Sequence, residues 1–282
     1  MLLALIWGSS FLFIKVAVVE VSPLFLVQGR LLLALLFLYA VLRVRGLALP
    51  RGRRIWAAFA VVALFNNALP FTLISWGEQY IDSGLAAIFN GTMPLFTVII
   101  AHFLTHDDRM NLPKVLGVLI GFGGVAVLIG VDLRGLAHAN VLGELAVMGA
   151  ACSYGLATTL VRRHLREVRP EPAATGQLLM GTLWLAAIIL ITGQPLPAVP
   201  SAKAIGSIAA LGVMGTGIAY LIYYWLIKRI RATQMSLVTY LIPITALMWG
   251  ALLLGERPGL RTFLGLGLIL AGVMLSGRQV RS

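Results

Sequence analysis

Of the 282 residues, 60% are hydrophobic and only 11% are charged, against roughly a quarter charged in soluble chains, so a water-soluble globular domain is excluded and a bilayer is the expected solvent. The formal net charge of +12 does not point to nucleic acid, because the Lys and Arg residues sit in short connections between apolar runs, where they report orientation in a membrane. Cys152 is the single cysteine, which excludes an intrachain disulfide.

A hydrocarbon layer about 30 Å thick takes roughly 20 helical residues. Ten runs of that kind follow one another, at about 2–19, 23–42, 55–77, 84–104, 113–131, 141–161, 172–193, 204–227, 234–254 and 261–277. The first run starts at Met1 without a basic stretch before it or a small-residue cleavage site after it, so it reads as a retained helix and not as a signal peptide. Lys15 and Arg30 are the basic residues within runs, and a basic side chain at a helix centre costs on the order of 3 kcal/mol on insertion scales. Lys15 is expected to snorkel or to pair with Glu20. Arg30 lies deeper and needs a partner inside the protein, which the sequence does not name. With a cytoplasmic N-terminus, the outer connections hold only Arg134, Lys203, Arg257 and Arg261, while the inner segments hold the basic clusters Arg51, Arg53, Arg54, then Arg162, Arg163, Arg166, Arg169, then Lys228, Arg229, Arg231, and finally Arg278 and Arg281. That bias predicts both termini in the cytoplasm.

The fourth run contains Asn90-Gly-Thr-Met-Pro94-Leu-Phe-Thr97, and 149 residues later the ninth contains Thr239-Tyr-Leu-Ile-Pro243-Ile-Thr-Ala246. A proline inside a helix removes one backbone hydrogen bond, and in a bilayer the freed carbonyl needs another partner, so both helices are expected to be broken and to face the protein interior. The repetition extends further. Trp76 pairs with Trp225 at the same offset, Leu116-Gly117 and Gly124-Val125 pair with Leu264-Gly265 and Gly272-Val273 at 148, and Trp7-Gly8 and Lys15 pair with Tyr154-Gly155 and Arg162 at 147. Each copy holds five runs, an odd number, so the second enters the membrane from the opposite side. The expected fold is therefore all-α and integral to the membrane: ten transmembrane helices as two inverted five-helix repeats, 1–135 and 136–282, around a central cavity, with the substrate site near the midplane at the repeat interface.

Tyr240-Leu-Ile-Pro243, then Leu254-Gly255-Glu256 and Gly265-Leu-Gly267-Leu-Ile-Leu-Ala-Gly272-Val, resemble the EamA repeat of the drug/metabolite transporter superfamily. Trp7-Gly8-Ser9 with Lys15, then Arg30, resemble that family's opening helices. The resemblance covers nearly the whole chain in two copies, and is nearest to the bacterial exporters of aromatic and other amino acids. It implies ten helices, a cavity lined by the third, fourth, eighth and ninth beside the first and sixth, and export of small metabolites. The first copy departs from the pattern, with His106-Asp107 where the second has Gly255-Glu256. That difference favours a role for the acid in the helix connection over shared chemistry.

The candidate substrate-binding residues are Trp7, Asn66, Asn90, Pro94, Thr97, Tyr220, Tyr224, Thr239, Tyr240 and Pro243, with Asn67, Pro70, Gly215, Thr216 and Ala219 as wall or gate positions. Each has a plainer reading: Asn and Thr also join membrane helices, the i, i+4 pair Tyr220 and Tyr224 also packs a helix interface, and the prolines also serve as static kinks. Trp76 and Trp225 fit an aromatic belt. No carboxylate occupies a run centre; Glu20, Glu78, Asp82, Asp107, Asp108, Asp132 and Glu256 fall at ends or in connections, and Glu144 about one turn into the sixth run. This argues for movement of the solute down its own gradient, with proton coupling through Glu144 as the alternative.

His102, His106, His138 and His164 are scattered, and the glycine run at Gly121 lacks the Gly-Lys-Ser/Thr of a nucleotide loop, so neither metal nor cofactor is expected. No nucleophile, base and metal set marks an intramembrane enzyme, and no ring of charges marks a channel. The expected protein is a secondary transporter, not an enzyme, in a bacterial inner membrane. It acts as a monomer by alternating access and exports neutral or zwitterionic solutes, amino acids with aromatic or large apolar side chains above all.

Overall fold

The computed structural model describes residues 1–105, 109–130, 139–227 and 232–277, of which Ala139, Tyr224, Ile227 and 232–237 are described by their backbone alone. His106, Asp107, Asp108, Asp132, Arg134, His138, Lys228, Arg229, Arg231, Arg278 and Arg281 lie outside the described residues, as does the side chain of Tyr224.

Among the described residues all regular structure is helical. In chain order the helices are α1 (Leu2–Ala17), α2 (Pro23–Val44), α3 (Arg53–Gly77), α4 (Ser83–Leu104), α5 (Leu112–Ile129), α6 (Ala139–His164), α7 (Pro170–Thr192), α8 (Ala202–Gly212, Val213–Ile218 and Ala219–Ile227), α9 (Ala232–Trp249 and Gly250–Leu254) and α10 (Leu260–Ser276). Seven are long and apolar enough to cross a membrane, and Leu2–Ala17, Val238–Leu254 and Leu260–Ser276 are shorter apolar helices. Prolines set several starts. Pro23, Pro113 and Pro170 sit in the first turns of α2, α5 and α7, where a missing N–H costs nothing. Gly193 after α7 and Gly255 after α9 take left-handed backbone (φ 58° and 71°), as helix ends commonly require.

Three interruptions within helices matter for the site. α3 widens to π geometry at Leu64–Ala68 and α8 does so at Val213–Ile218, segments whose first residues are 149 apart. α4 breaks after Asn90: the Thr92 hydroxyl donates to the Phe89 carbonyl at 2.6 Å, and a new segment opens at Met93 with Pro94 in its first turn. Pro94 thus removes no interior hydrogen bond. The matching break expected in α9 is absent, since that helix runs through Pro243. Where α4 has Gly91-Thr92, α9 has Tyr240-Leu241, with neither a glycine to open the turn nor a hydroxyl to take the carbonyl.

The helices meet at glycines. A Cβ on Gly124 of α5 would lie 2.8 Å from the Gly265 carbonyl of α10, and one on Gly265 would lie 3.1 Å from the Gly124 carbonyl. Gly117 meets the Gly272 carbonyl in the same way at 2.5 Å. On the other side, a Cβ on Gly8 of α1 would meet the Thr245 side chain and lie 3.0 Å from the Ala246 amide of α9, and one on Gly155 of α6 would lie 2.9 Å from the Thr97 amide of α4. Such contacts let backbones approach and gain dispersion energy where lipid offers no hydrophobic drive. The main buried cluster lies between them, with Phe11, Leu26, Leu31, Phe71, Ile88, Phe89 and Leu178 among its members, while Leu36, Leu119, Leu190 and Leu252 face outward.

Candidate functional site

A polar knot sits where α2, α3, α6 and α8 meet. Arg30 of α2 is only 6% exposed; its Nε donates to the Thr216 hydroxyl at 3.0 Å, and its guanidinium carbon lies 3.8 Å over the Phe71 ring. This identifies the partners the sequence left open, a neutral hydroxyl and an aromatic face. A desolvated cation over a ring gains about 2 kcal/mol. Phe71 meets Tyr154 of α6 edge-on at 6.3 Å, and Tyr154 and Tyr220 both lie within electrostatic reach of Arg30.

The two π segments build the rest. Widening a helix leaves carbonyls without their usual partners. The Phe65 carbonyl takes the Ser153 hydroxyl of α6 at 2.8 Å, and the Leu211 carbonyl takes the Thr216 hydroxyl at 3.0 Å, so Thr216 donates to its own helix while accepting from Arg30. Asn67, fully buried in the α3 segment, donates to the Tyr220 hydroxyl at 3.3 Å and leaves its Oδ1 without a partner.

A second polar cluster lies at the C-terminal end of α1. Lys15 neither snorkels freely nor pairs with Glu20: its Nζ donates to the Glu78 and Ile81 carbonyls at 2.7 Å each, closing the corner after α3. Glu20 instead accepts from the Ser201 amide and hydroxyl, each at 2.7 Å, at the start of α8, where a carboxylate meets unpaired N–H groups. Those two bonds hold Glu20 below the usual carboxylate range. Glu256, from the α9–α10 connection, accepts from the Ser83 and Gly84 amides at 2.7 and 3.0 Å and so caps α4. Glu78, immediately after α3, is 0% exposed and neither carboxylate oxygen has a partner; burial pushes it well above the usual carboxylate range. A cleft of about 350 Å³ lies here, with Lys15, Glu20, Asp82, Lys203 and Glu256 in its wall, beside a smaller one of about 230 Å³ at Lys15, Glu78 and Gln79.

The residues named from sequence are distributed unevenly between these places. Tyr220 joins the knot through Asn67. Asn66 turns away, donating to Gln177 of α7 at 3.2 Å. Asn90 keeps a buried Oδ1 without a partner at the end of the first α4 segment, and next to it Gly91 faces Pro243, whose Cγ would be 3.2 Å from a Cβ there. The break of α4 and the proline of α9 therefore meet. The Thr97 hydroxyl is taken up by the Met93 carbonyl of its own helix. The Trp7 ring meets that of Tyr223 at 5.9 Å, tilted by 45°, in a small cluster with Leu3, Ala219 and Val238. Thr239 and Tyr240 are half-buried on α9. Glu144 of α6 is 7% exposed, with one oxygen unpartnered. Phe71 and Gln177 are not among the candidates the sequence offers, and Tyr154 and Glu78 enter there only as a repeat counterpart of Trp7 and as an acid at a run end; for Phe71 the available signal is spacing, one helical turn after Asn67 on α3.

Comparison with known proteins accords with this fold. A solved crystal structure superposes with a TM-score of 0.67 at 20% identity, covering 98% of this chain and 96% of the other, which shows the fold. The chain is 26% identical over 276 residues to YoaV of Bacillus subtilis, an uncharacterized transporter, covering 96% of this chain and 93% of the relative. It is 29% identical over 274 residues to YedA of Escherichia coli K12, an uncharacterized inner membrane transporter, covering 97% and 87%. The EamA-like transporter family model matches twice, at residues 1–130 and 141–278, and on that evidence the chain belongs to this family and is a membrane transporter, not an enzyme.

Proposed function

We propose that this transporter crosses a bacterial inner membrane ten times, as two inverted halves at 1–135 and 136–282 with both termini cytoplasmic. It acts as a monomer and exports small neutral or zwitterionic metabolites, namely amino acids with aromatic or large apolar side chains, by alternating access without obligatory proton coupling. Several contacts support the two halves. The π segments of α3 and α8 fall at matching positions, and the family model's two matches divide the chain at the same place. Gly8 meets the Ala246 amide while its counterpart Gly155 meets the Thr97 amide, and across α5 and α10 each glycine meets the partner of the other. Reciprocal contacts of this kind are what a two-fold relation between the copies produces.

The observation that carries the reading is the knot itself. Arg30 to Thr216 and Asn67 to Tyr220 both run from the first half to the second, through uncharged partners, at helical segments that are already widened. A solute bound there touches both halves, which is the requirement for rocking one against the other around it. Phe71, Tyr154 and Tyr220 give the walls an aromatic character suited to apolar side chains. Trp7, Asn66, Asn90, Pro94, Thr97, Tyr220, Tyr224, Thr239, Tyr240 and Pro243 complete the proposed lining of a central cavity.

Counterflow in proteoliposomes tests this: vesicles loaded with one unlabelled amino acid should accumulate its external label, aromatic and large apolar ones foremost, with or without a pH gradient. A failure with every amino acid removes the substrate class. A second reading, proton-coupled export of another drug or metabolite class, is favoured by Glu78, a buried carboxyl with neither oxygen partnered. Dependence on the pH gradient would select it.

A further inference from the structure

Arg30 is held unusually for a buried cation. Guanidinium groups withdrawn from water are normally matched by a carboxylate, because their desolvation costs several kcal/mol per ion. Among the described residues no carboxylate lies within 4.0 Å of Arg30; the ion pair they hold is Arg45 with Glu171, at the ends of α2 and α7. Glu78 lies within electrostatic reach, but its own oxygens are unpartnered, so it does not serve the arginine. The hydrogen bond from Nε to Thr216 and the stack on Phe71 fix the plane of the group and use its inner edge and one face. Both terminal nitrogens remain without a hydrogen-bond partner among the described residues. They form the end-on fork that matches the two oxygens of a carboxylate.

We propose that Arg30 is the carboxylate anchor of the transported solute: its two terminal nitrogens grip the carboxylate, and the unpartnered Oδ1 of Asn67 accepts from the solute's ammonium. The assignment rests on the knot being the transport site. It narrows the substrate to zwitterions and monoanions that carry a free carboxylate on an apolar or aromatic body. Esters, amines and cationic drugs are disfavoured, because none brings the two carboxylate oxygens that match the fork. The cation is thereby retained where an apolar side chain would pack more cheaply, since its partner arrives with each cycle.

The test uses the full-length protein in detergent and in proteoliposomes, with L-phenylalanine, its methyl ester and phenylacetate as probes. Wild type is expected to be stabilised against thermal unfolding by phenylalanine and phenylacetate and not by the ester, and to exchange labelled phenylalanine in counterflow. Arg30→Met should lose about tenfold or more of its apparent affinity for both acids, while its response to the ester is unchanged. Arg30→Lys keeps the charge without the fork; it should fall between the two and remains informative if the Met variant does not fold. Equal acid-over-ester preference in wild type and both variants overturns the anchor, as does wild type that answers to neither acid. Stabilisation by phenylacetate with no exchange of any amino acid would keep the anchor and remove the amino-acid substrate.

Discussion

Glu256 offers the sharpest test of how the halves are tied together. Its carboxylate accepts from the Ser83 and Gly84 amides at 2.7 and 3.0 Å, and so joins the α9–α10 connection to the start of α4. Each bond to an ionised acceptor is worth about 1.5–3 kcal/mol, and the helix N-terminus adds about 0.3–1 kcal/mol for a negative charge. The side chain is only half-buried, so solvent screening brings the pair to about 2–3 kcal/mol in total. Glu256→Gln keeps one carbonyl acceptor and turns an amide donor toward the second N–H, for an expected loss of about 1–2 kcal/mol. Glu256→Ala loses both bonds and the full amount. At roughly 2–4 °C per kcal/mol for a chain of this size, the unfolding midpoint in detergent should fall by about 2–8 °C for Gln and further for Ala. Removal of the neighbouring exposed charge in Arg257→Gln should leave it unchanged. Midpoints equal to wild type in both Glu256 variants would refute the cap, and a Gln variant with a native midpoint but no transport would move Glu256 into the transport chemistry.

Other substitutions follow from the packing and from the buried acid. A methyl group at Gly272→Ala meets the Gly121 amide at 2.5 Å, backbone that cannot swing aside, so a cost of about 1–3 kcal/mol is expected; Gly123→Ala on the same α5 helix has open space and should be neutral or stabilising in the same unfolding assay. Asn90→Ala and Tyr240→Phe are expected to reduce amino-acid counterflow with little change in unfolding midpoint, and normal flux in both would remove the α4–α9 face from the lining. Burial raises Glu78 well above its ordinary value of 4.5, so above that pH the native chain binds more protons than the unfolded one and stability should fall as pH rises from about 4.5 through the raised value. Glu78→Gln should flatten that slope in a pH series of unfolding midpoints, and an unchanged slope would place the titration elsewhere.

What was legible in the sequence was set by the bilayer. Charges at the centre of an apolar run are too costly, so run ends and connections could be read from hydropathy and from prolines such as Pro23, Pro113 and Pro170. The glycines were legible too: Gly117, Gly124, Gly265 and Gly272 recur at a fixed offset, and they are where α5 and α10 touch. Lys15 was misread because Glu20 is its nearest acid in sequence, whereas the folded chain offers Glu20 two donors from Ser201 and offers Lys15 two carbonyls at the turn after α3. Pro243 was misread because a proline alone does not open a helix; α4 opens at Gly91-Thr92, one turn earlier, and α9 has no such pair.

The polar knot was the least legible part, for a reason that bears on its use. Its bonds span 153 and 186 residues and join a cation to a neutral hydroxyl and an amide to a phenol, so neither opposite charge nor local spacing marks them. The π segments are hidden in the same way, since widening at Leu64–Ala68 and Val213–Ile218 is stabilised by hydroxyls of Ser153 and Thr216, the first of them from another helix. Ion pairs across that seam would have been easier to foresee, but breaking a buried pair costs about 3–5 kcal/mol, whereas a hydrogen bond from a cation to a hydroxyl is worth about 1.5–3 kcal/mol and a neutral one about 1 kcal/mol net. If the halves rock apart as proposed, a seam between them is better closed by the weaker kind. Under the proposal made above for Arg30, the guanidinium within that seam keeps its one strong interaction for the solute.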